Sequence, residues 1–161
     1  IRIAIIGLES KIEKRHINVE LNLQSESCYV YADRDSITRV ITNLIDNAVK
    51  FTNEGGYITI SVVTQQKDAI ISVRNTGKGI PEEQKNMIFN RFYKTDKSRS
   101  ENPEGTGIGL YLVKNILHAH ERDITVNSVE GEYAEFVFRL GKGKVPQNRG
   151  KKTDNSSSLN I

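Results

Sequence analysis

Cysteine is almost missing from this 161-residue chain. Cys28 is the only one, which excludes an internal disulfide framework and fits a reducing compartment. No apolar run approaches the roughly 18 residues that a membrane-spanning helix needs, and no stretch has the layout of a signal peptide. A basic excess is also missing where it would matter. The net charge is +3, but residues 141–161 carry five basic residues (Lys142, Lys144, Arg149, Lys151, Lys152) against Asp154 alone. That leaves the other 140 residues at −1, so a nucleic-acid partner is not expected. The closing stretch "GKGKVPQNRGKKTDNSSSLNI" has little to bury and reads as a flexible, solvated basic tail. An initiating Met is absent, and Ile1 already lies in a helical pattern, so the chain reads as a piece of a longer protein.

What is present is a run of alternating helix and strand-pair signals. "IRIAIIGLESKIEKR" places Ile5, Leu8 and Ile12 on one helical face. "HINVELNL" alternates Ile17, Val19, Leu21 and Leu23, which is strand spacing with one buried face. "CYVYA" reads as a short second strand. Asp33 or Asp35 can cap the helix that follows, to about Phe51. "YITISVVTQQKDAIISVRN" reads as a hairpin turning at Gln65–Asp68. Pro81, Glu82 and Glu83 suit a helix start running to about Tyr93. Residues 94–106 read as a polar loop, "GIGLYLVKNILHAH" as a helix, and "DITVNSVEG" and "AEFVFRL" as strands. Paired strands between helices predict a two-layer α/β sandwich. Its sheet is mixed and mostly antiparallel, with about three helices on one face. The expected organisation is a helical lead-in over 1–16, a domain over 17–140 and the tail over 141–161.

Three clusters carry chemistry. Along "RVITNLIDNAVKFT", with Asn43 at zero, Asn47 falls at about 40° and Lys50 at about −20°, while Ile41, Leu44, Ile45 and Ala48 fall between about 100° and 200°. Two amides and an ammonium thus share a stripe away from the apolar face. The stripe is either a solvated face or a site for a metal and phosphates. Asn is a poor interior helix residue, its amide oxygen can ligate Mg²⁺, and Lys supplies charge to a phosphate. In "EGTGIGLYLV", Gly105, Gly107 and Gly109 precede a helix whose N-terminal amides can hold an anion. In "ISVRNTGKGIPEE", Asn75 ends a strand before Gly77 and Gly79. A simple turn explains that stretch equally well when it is taken alone.

These clusters, in this order, resemble the catalytic and ATP-binding domain of bacterial sensor histidine kinases, a group related to gyrase, the Hsp90 chaperones and MutL. "NLIDNAVKFT" is similar to that family's N box, "NTGKGIP" to its G1 box, "IFNRFYKTDKSRS" to its F box and "GTGIGLYLVKNI" to its G2 box. The likeness covers about residues 17–140. It implies that Asn47 ligates Mg²⁺ with Asn43 beside metal and phosphates, that Lys50 and Lys94 contact phosphate oxygens, and that Phe51 and Tyr93 wall the nucleotide. It further implies that Asn75 stands where an aspartate usually accepts the adenine amino group, with Gly77, Gly79 and Ile80 along the base. Residues 94–106 become an ATP lid, and Gly105, Thr106, Gly107, Gly109 and Leu110 close over the ligand.

The resemblance also implies ATP and Mg²⁺ as cofactors and a γ-phosphoryl transfer to histidine in two-component signalling. The partners implied are a dimerisation and phosphoacceptor domain and a response regulator receiver domain. The fragment itself is expected to be monomeric and cytoplasmic, the parent being either soluble or anchored in the bacterial membrane. No acceptor histidine is evident. The family's acceptor is followed by an acid and, soon after, a proline. His16 and His118 lack the acid, and His120 has Glu121 but no proline nearby, so the acceptor is expected ahead of Ile1. The related ATPases place a glutamate where Asn43 stands. An amide cannot take a proton at neutral pH, which favours transfer over hydrolysis, although Asp46 lies near the stripe. An ATPase and a non-catalytic nucleotide-binding module remain the alternatives. Two departures, "HERD" for the usual His-Gly-Gly and "GEYAEF" for Gly-x-Gly-Thr-x-Phe, predict altered turns.

Overall fold

The computed structural model describes residues 1–24, 28–94, 106–144 and 158–160. Alternation of inward Ile58, Ile60 and Val62 with outward Thr59 and Ser61 makes β3 (Tyr57–Gln65), and inward Ala69, Ile71 and Val73 at the same spacing make β4 (Asp68–Thr76). Gln66, with positive φ, and Lys67 form the two-residue turn between them. β6 (Tyr133–Gly141) and β5 (Ile124–Val129) continue the sheet, and β1 (Asn18–Leu23) closes it at the far side, in the order β1-β3-β4-β6-β5. Only the β1–β3 pairing is parallel. The sheet is thus mixed and mostly antiparallel, as the paired strand signals predict.

One face of the sheet is covered by α3 (Arg34–Phe51) and α4 (Gly109–Ala119). Asp33 caps α3 by accepting the Ser36 N–H at 2.8 Å. The α3 stripe of Ile37, Val40, Ile41, Leu44, Ile45 and Ala48 is buried together with Val113 and Leu117 of α4 and with Phe136 and Phe138 of β6. Burial of such side chains is worth about 1.5–3 kcal/mol each, and this shared core fixes the distance between the two helices. Cys28 is buried at its edge, and burial pushes its thiol up.

The lead-in is two short helices, α1 (Arg2–Ile6) and α2 (Glu9–Lys14), with a break at Gly7 and Leu8, and it buries Ala4, Leu8 and Ile12. β1 buries less than its alternation predicts. Leu21 is exposed and only Ile17, just ahead of the strand, is fully covered, because β1 is an edge strand. β2 (Tyr29–Tyr31) does not join the main sheet. It pairs antiparallel with β7 (Ser158–Asn160), so three residues of the expected free tail carry a strand pairing. β6 runs through Gly141, and Lys142 bridges Val30. Residues 145–157 and 161 of the expected tail lie outside the described residues.

No helix spans 81–93. A 3-10 turn at Glu82–Gln84 is followed by further turns, and Phe92 has φ +63, which a right-handed helix cannot contain. Ile88 and Phe89 anchor this segment, with Phe89 edge-on to Phe136 at 6.3 Å between ring centroids. The "HERD" stretch closes α4. Arg122 N–H bonds the Leu117 carbonyl, Glu121 N–H bonds that of His118, and Glu121 takes φ +56. This is a Schellman ending with Glu in the left-handed place that glycine favours.

Candidate functional site

Between α3, the end of β4, the 79–94 segment and the start of α4 lies a cavity of about 460 Å³, the size of a small-molecule site. α3 supplies one wall because its second stripe, Asn43, Asp46, Asn47, Lys50 and Phe51, looks away from the core. Asn43 Nδ2 donates to the Arg39 carbonyl at 2.7 Å. Its Oδ1 lies 3.1 Å from where a Cβ on Gly109 would sit, so a side chain there would press on the Asn43 amide. The start of α4 has no side-chain cap, and Gly109 and Leu110 of its first turn line the cleft near Asn43. Lys50 is ion-paired with Asp46. The Asn47 amide makes no hydrogen bond among the described residues.

The opposite end rests on the sheet. Asn75, 3% exposed, pairs with Ala134 in register, and Phe136 completes the floor. Asn75 Nδ2 donates to the Thr76 carbonyl at 3.2 Å, which leaves Oδ1 as the acceptor available to a ligand. Gly79 has φ +62, and a Cβ there would stand 2.1 Å from the Val129 carbonyl oxygen. The loop is held against the β5–β6 turn by Gly131 N–H to the Lys78 carbonyl and Ile80 N–H to Ser128 Oγ. Ile80, Tyr93 and Leu110 add apolar surface, and Phe92 N–H donates to the Gly107 carbonyl, tying the two ends of the 94–106 stretch.

Of the residues predicted for the site, Asn43, Asn47, Lys50, Phe51, Asn75, Gly79, Ile80, Tyr93, Lys94, Thr106, Gly107, Gly109 and Leu110 line this one cavity. Gly77 does not line it. It bridges Thr52, and its role is to let the β4 end cross the last turn of α3. Gly105 and the rest of the lid, residues 95–105, lie outside the described residues. Sequence reasoning missed Lys78, Gln84, Ile88, Glu130, Ala134 and Phe136 as lining residues. The alternation in "AEFVF" marks Ala134 and Phe136 as inward-facing but cannot tell core from cavity floor. Nothing local marks Glu130.

Comparison with known proteins agrees with this geometry. The family described as histidine kinase-, DNA gyrase B-, and HSP90-like ATPase matches residues 32–144. Sensor histidine kinase WalK of Bacillus subtilis (strain 168) is 38% identical over 138 residues, which is 84% of this chain but only 23% of WalK. The nucleotide-free catalytic domain of histidine kinase ThkA superposes with a TM-score of 0.77 at 33% identity, covering 88% of this chain and 89% of that one. ThkA in complex with the response regulator protein TrrA gives 0.74 at 30% identity, covering 88% of this chain and 39% of ThkA. The chain therefore spans less than a third of the curated relatives it matches. On the family match and the fold, the chain belongs to the histidine kinase-, DNA gyrase B- and HSP90-like ATPase family, as a catalytic domain of the sensor histidine kinase type.

Proposed function

We propose that the cleft binds Mg-ATP and that the domain, as a monomer, passes the γ-phosphoryl group to a histidine of a separate dimerisation and phosphoacceptor domain of its parent kinase. A response regulator receiver domain is the next acceptor; the ThkA complex with a response regulator supports this pairing. The observation that carries the reading is the meeting of the Asn43, Asn47 and Lys50 stripe with the uncapped start of α4. Ammonium and free backbone N–H groups suit a polyphosphate, and the cavity's other end offers apolar surface with one acceptor, Asn75 Oδ1, suited to adenine.

Among the described residues there is no cluster of three or more His, Cys, Asp or Glu side chains to hold a metal. The donor set instead suits Mg²⁺, which takes few protein oxygens beside water and phosphate. The uncommitted Asn47 amide would hold the ion, with Asn43 next to it, and the bound ion would neutralise phosphate charge. Lys50 and Lys94 orient the terminal phosphates. Phe51 and Tyr93 flank the nucleotide, Gly79, Ile80 and Leu110 lie along the base, and Thr106, Gly107 and Gly109 bring backbone close to the phosphates.

Transfer is favoured over hydrolysis because the α3 stripe offers no unengaged base among the described residues. Asn43 cannot accept a proton, and the Asp46 carboxylate is engaged by Lys50 and Lys11. A neutral imidazole needs no such base. Its nitrogen forms the N–P bond as the bond from Pγ to the bridging oxygen breaks and ADP departs. Such a site works where ATP is held, in the cytoplasm. Mixing the domain with the acceptor domain of its parent kinase and γ-labelled Mg-ATP should give acid-labile phosphoprotein. Phosphate release without that product would select the ATPase reading, and no nucleotide binding at all would refute both.

A further inference from the structure

The segment ahead of β1 is not part of the cleft, yet it grips the turn of α3 that forms the cleft's polar end. Lys11 and Arg15 stand one turn apart at the end of α2. Arg15 Nη1 donates to the carbonyls of Val49 and, at 3.2 Å, Lys50, and its Nη2 donates to the Thr52 carbonyl at 2.5 Å. These belong to the closing carbonyls of α3, which lack partners within the helix. Lys11 Nζ lies 3.4 Å from Asp46 Oδ1, while Asp46 Oδ2 is ion-paired with Lys50. One carboxylate is therefore shared between a cation of the lead-in and a cation of the cleft.

Asp46 itself lines the cleft. A carboxylate there repels an anionic ligand and competes with it for Lys50. Lys11 offsets both effects, since it neutralises part of the charge and competes with Lys50 for the same carboxylate. We propose that Asp46 is a positioning residue for Lys50, and that Lys11, acting through Asp46, sets how firmly the cleft holds an anionic ligand. This rests on the nucleotide reading above. A displacement of α2, which does not line the cleft, would then be felt at Lys50. The side chains of Lys11, Asp46 and Lys50 are 61%, 26% and 39% exposed, so water screens each pair and the effect is modest.

The test is a double-mutant cycle on the 161-residue protein, read as Mg-AMPPNP affinity by titration calorimetry at low salt. Lys11→Met should weaken binding about two- to fivefold, the size of an exposed ion pair. Lys11→Arg should restore it, and Asp46→Asn should tighten it by a similar factor. In the Asp46→Asn background, Lys11→Met should have almost no effect. Melting without ligand checks that each variant is folded, which a purely structural role for Lys11 would not survive unchanged. Equal Lys11→Met effects in both backgrounds, or no effect in either, would overturn the proposal while leaving the nucleotide reading in place. No binding by the unmodified protein would remove the nucleotide reading and this proposal together.

Discussion

Replacing Asn75 with aspartate should move two observables in opposite directions. In the proposed reading, Asn75 Oδ1 accepts a hydrogen bond from the adenine amino group, and its Nδ2 is already committed to the Thr76 carbonyl at 3.2 Å. A carboxylate keeps the acceptor and adds charge, worth about 1 kcal/mol or roughly fivefold in ATP affinity. The same carboxylate cannot donate to Thr76. It leaves two oxygens facing each other at a site only 3% exposed, which costs the free protein about 1–3 kcal/mol. For a chain of this size that is a loss of roughly 2–4 °C in Tm per kcal/mol. GTP offers a carbonyl where ATP offers an amino group. To meet it, Asn75 must turn and give up the Thr76 bond, so ATP should be preferred by about tenfold, the equivalent of about 1.4 kcal/mol. Calorimetric titration with ATP and GTP, and urea denaturation without ligand, measure all three. An Asn75→Asp protein that binds ATP no more tightly, or an unmodified protein that binds GTP as well as ATP, would refute the role given to Asn75.

Substitutions at two further positions test the backbone of the fold. Gly79→Ala forces a side chain into a left-handed conformation and against the Val129 carbonyl. The conformational and steric costs together should remove about 2–5 kcal/mol of stability in urea denaturation, and a loss below about 1 kcal/mol would contradict the close approach of the two loops. Glu121→Gly should gain about 0.5–1 kcal/mol by relieving the left-handed residue at the end of α4, whereas Glu121→Ala should gain nothing. Equal effects of glycine and alanine at 121 would show that the Schellman ending is not under strain.

The sequence alone determined which faces the elements present. Asn43, Asn47 and Lys50 share a stripe opposite Leu44 and Ile45 because the helical repeat spaces them so, and the structure keeps that division. The hairpin over 57–76 and the helix at 109–119 were legible for the same reason, as was an Asp cap on α3, which the structure assigns to Asp33 rather than Asp35. Tertiary structure decided the rest. Pro81 with two glutamates reads as a helix start, but packing of Ile88 and Phe89 and the turn at Phe92 override it. Gly77 and Gly79 look alike in sequence, yet one meets α3 and the other meets the β5–β6 turn and lines the cleft. Phe136 is a cavity floor as well as a core residue, and Lys11 reaches Asp46 across 35 positions. Local periodicity says which way a side chain points. What it points at is set by the long-range burial that brings distant elements together, and no short window of sequence contains that.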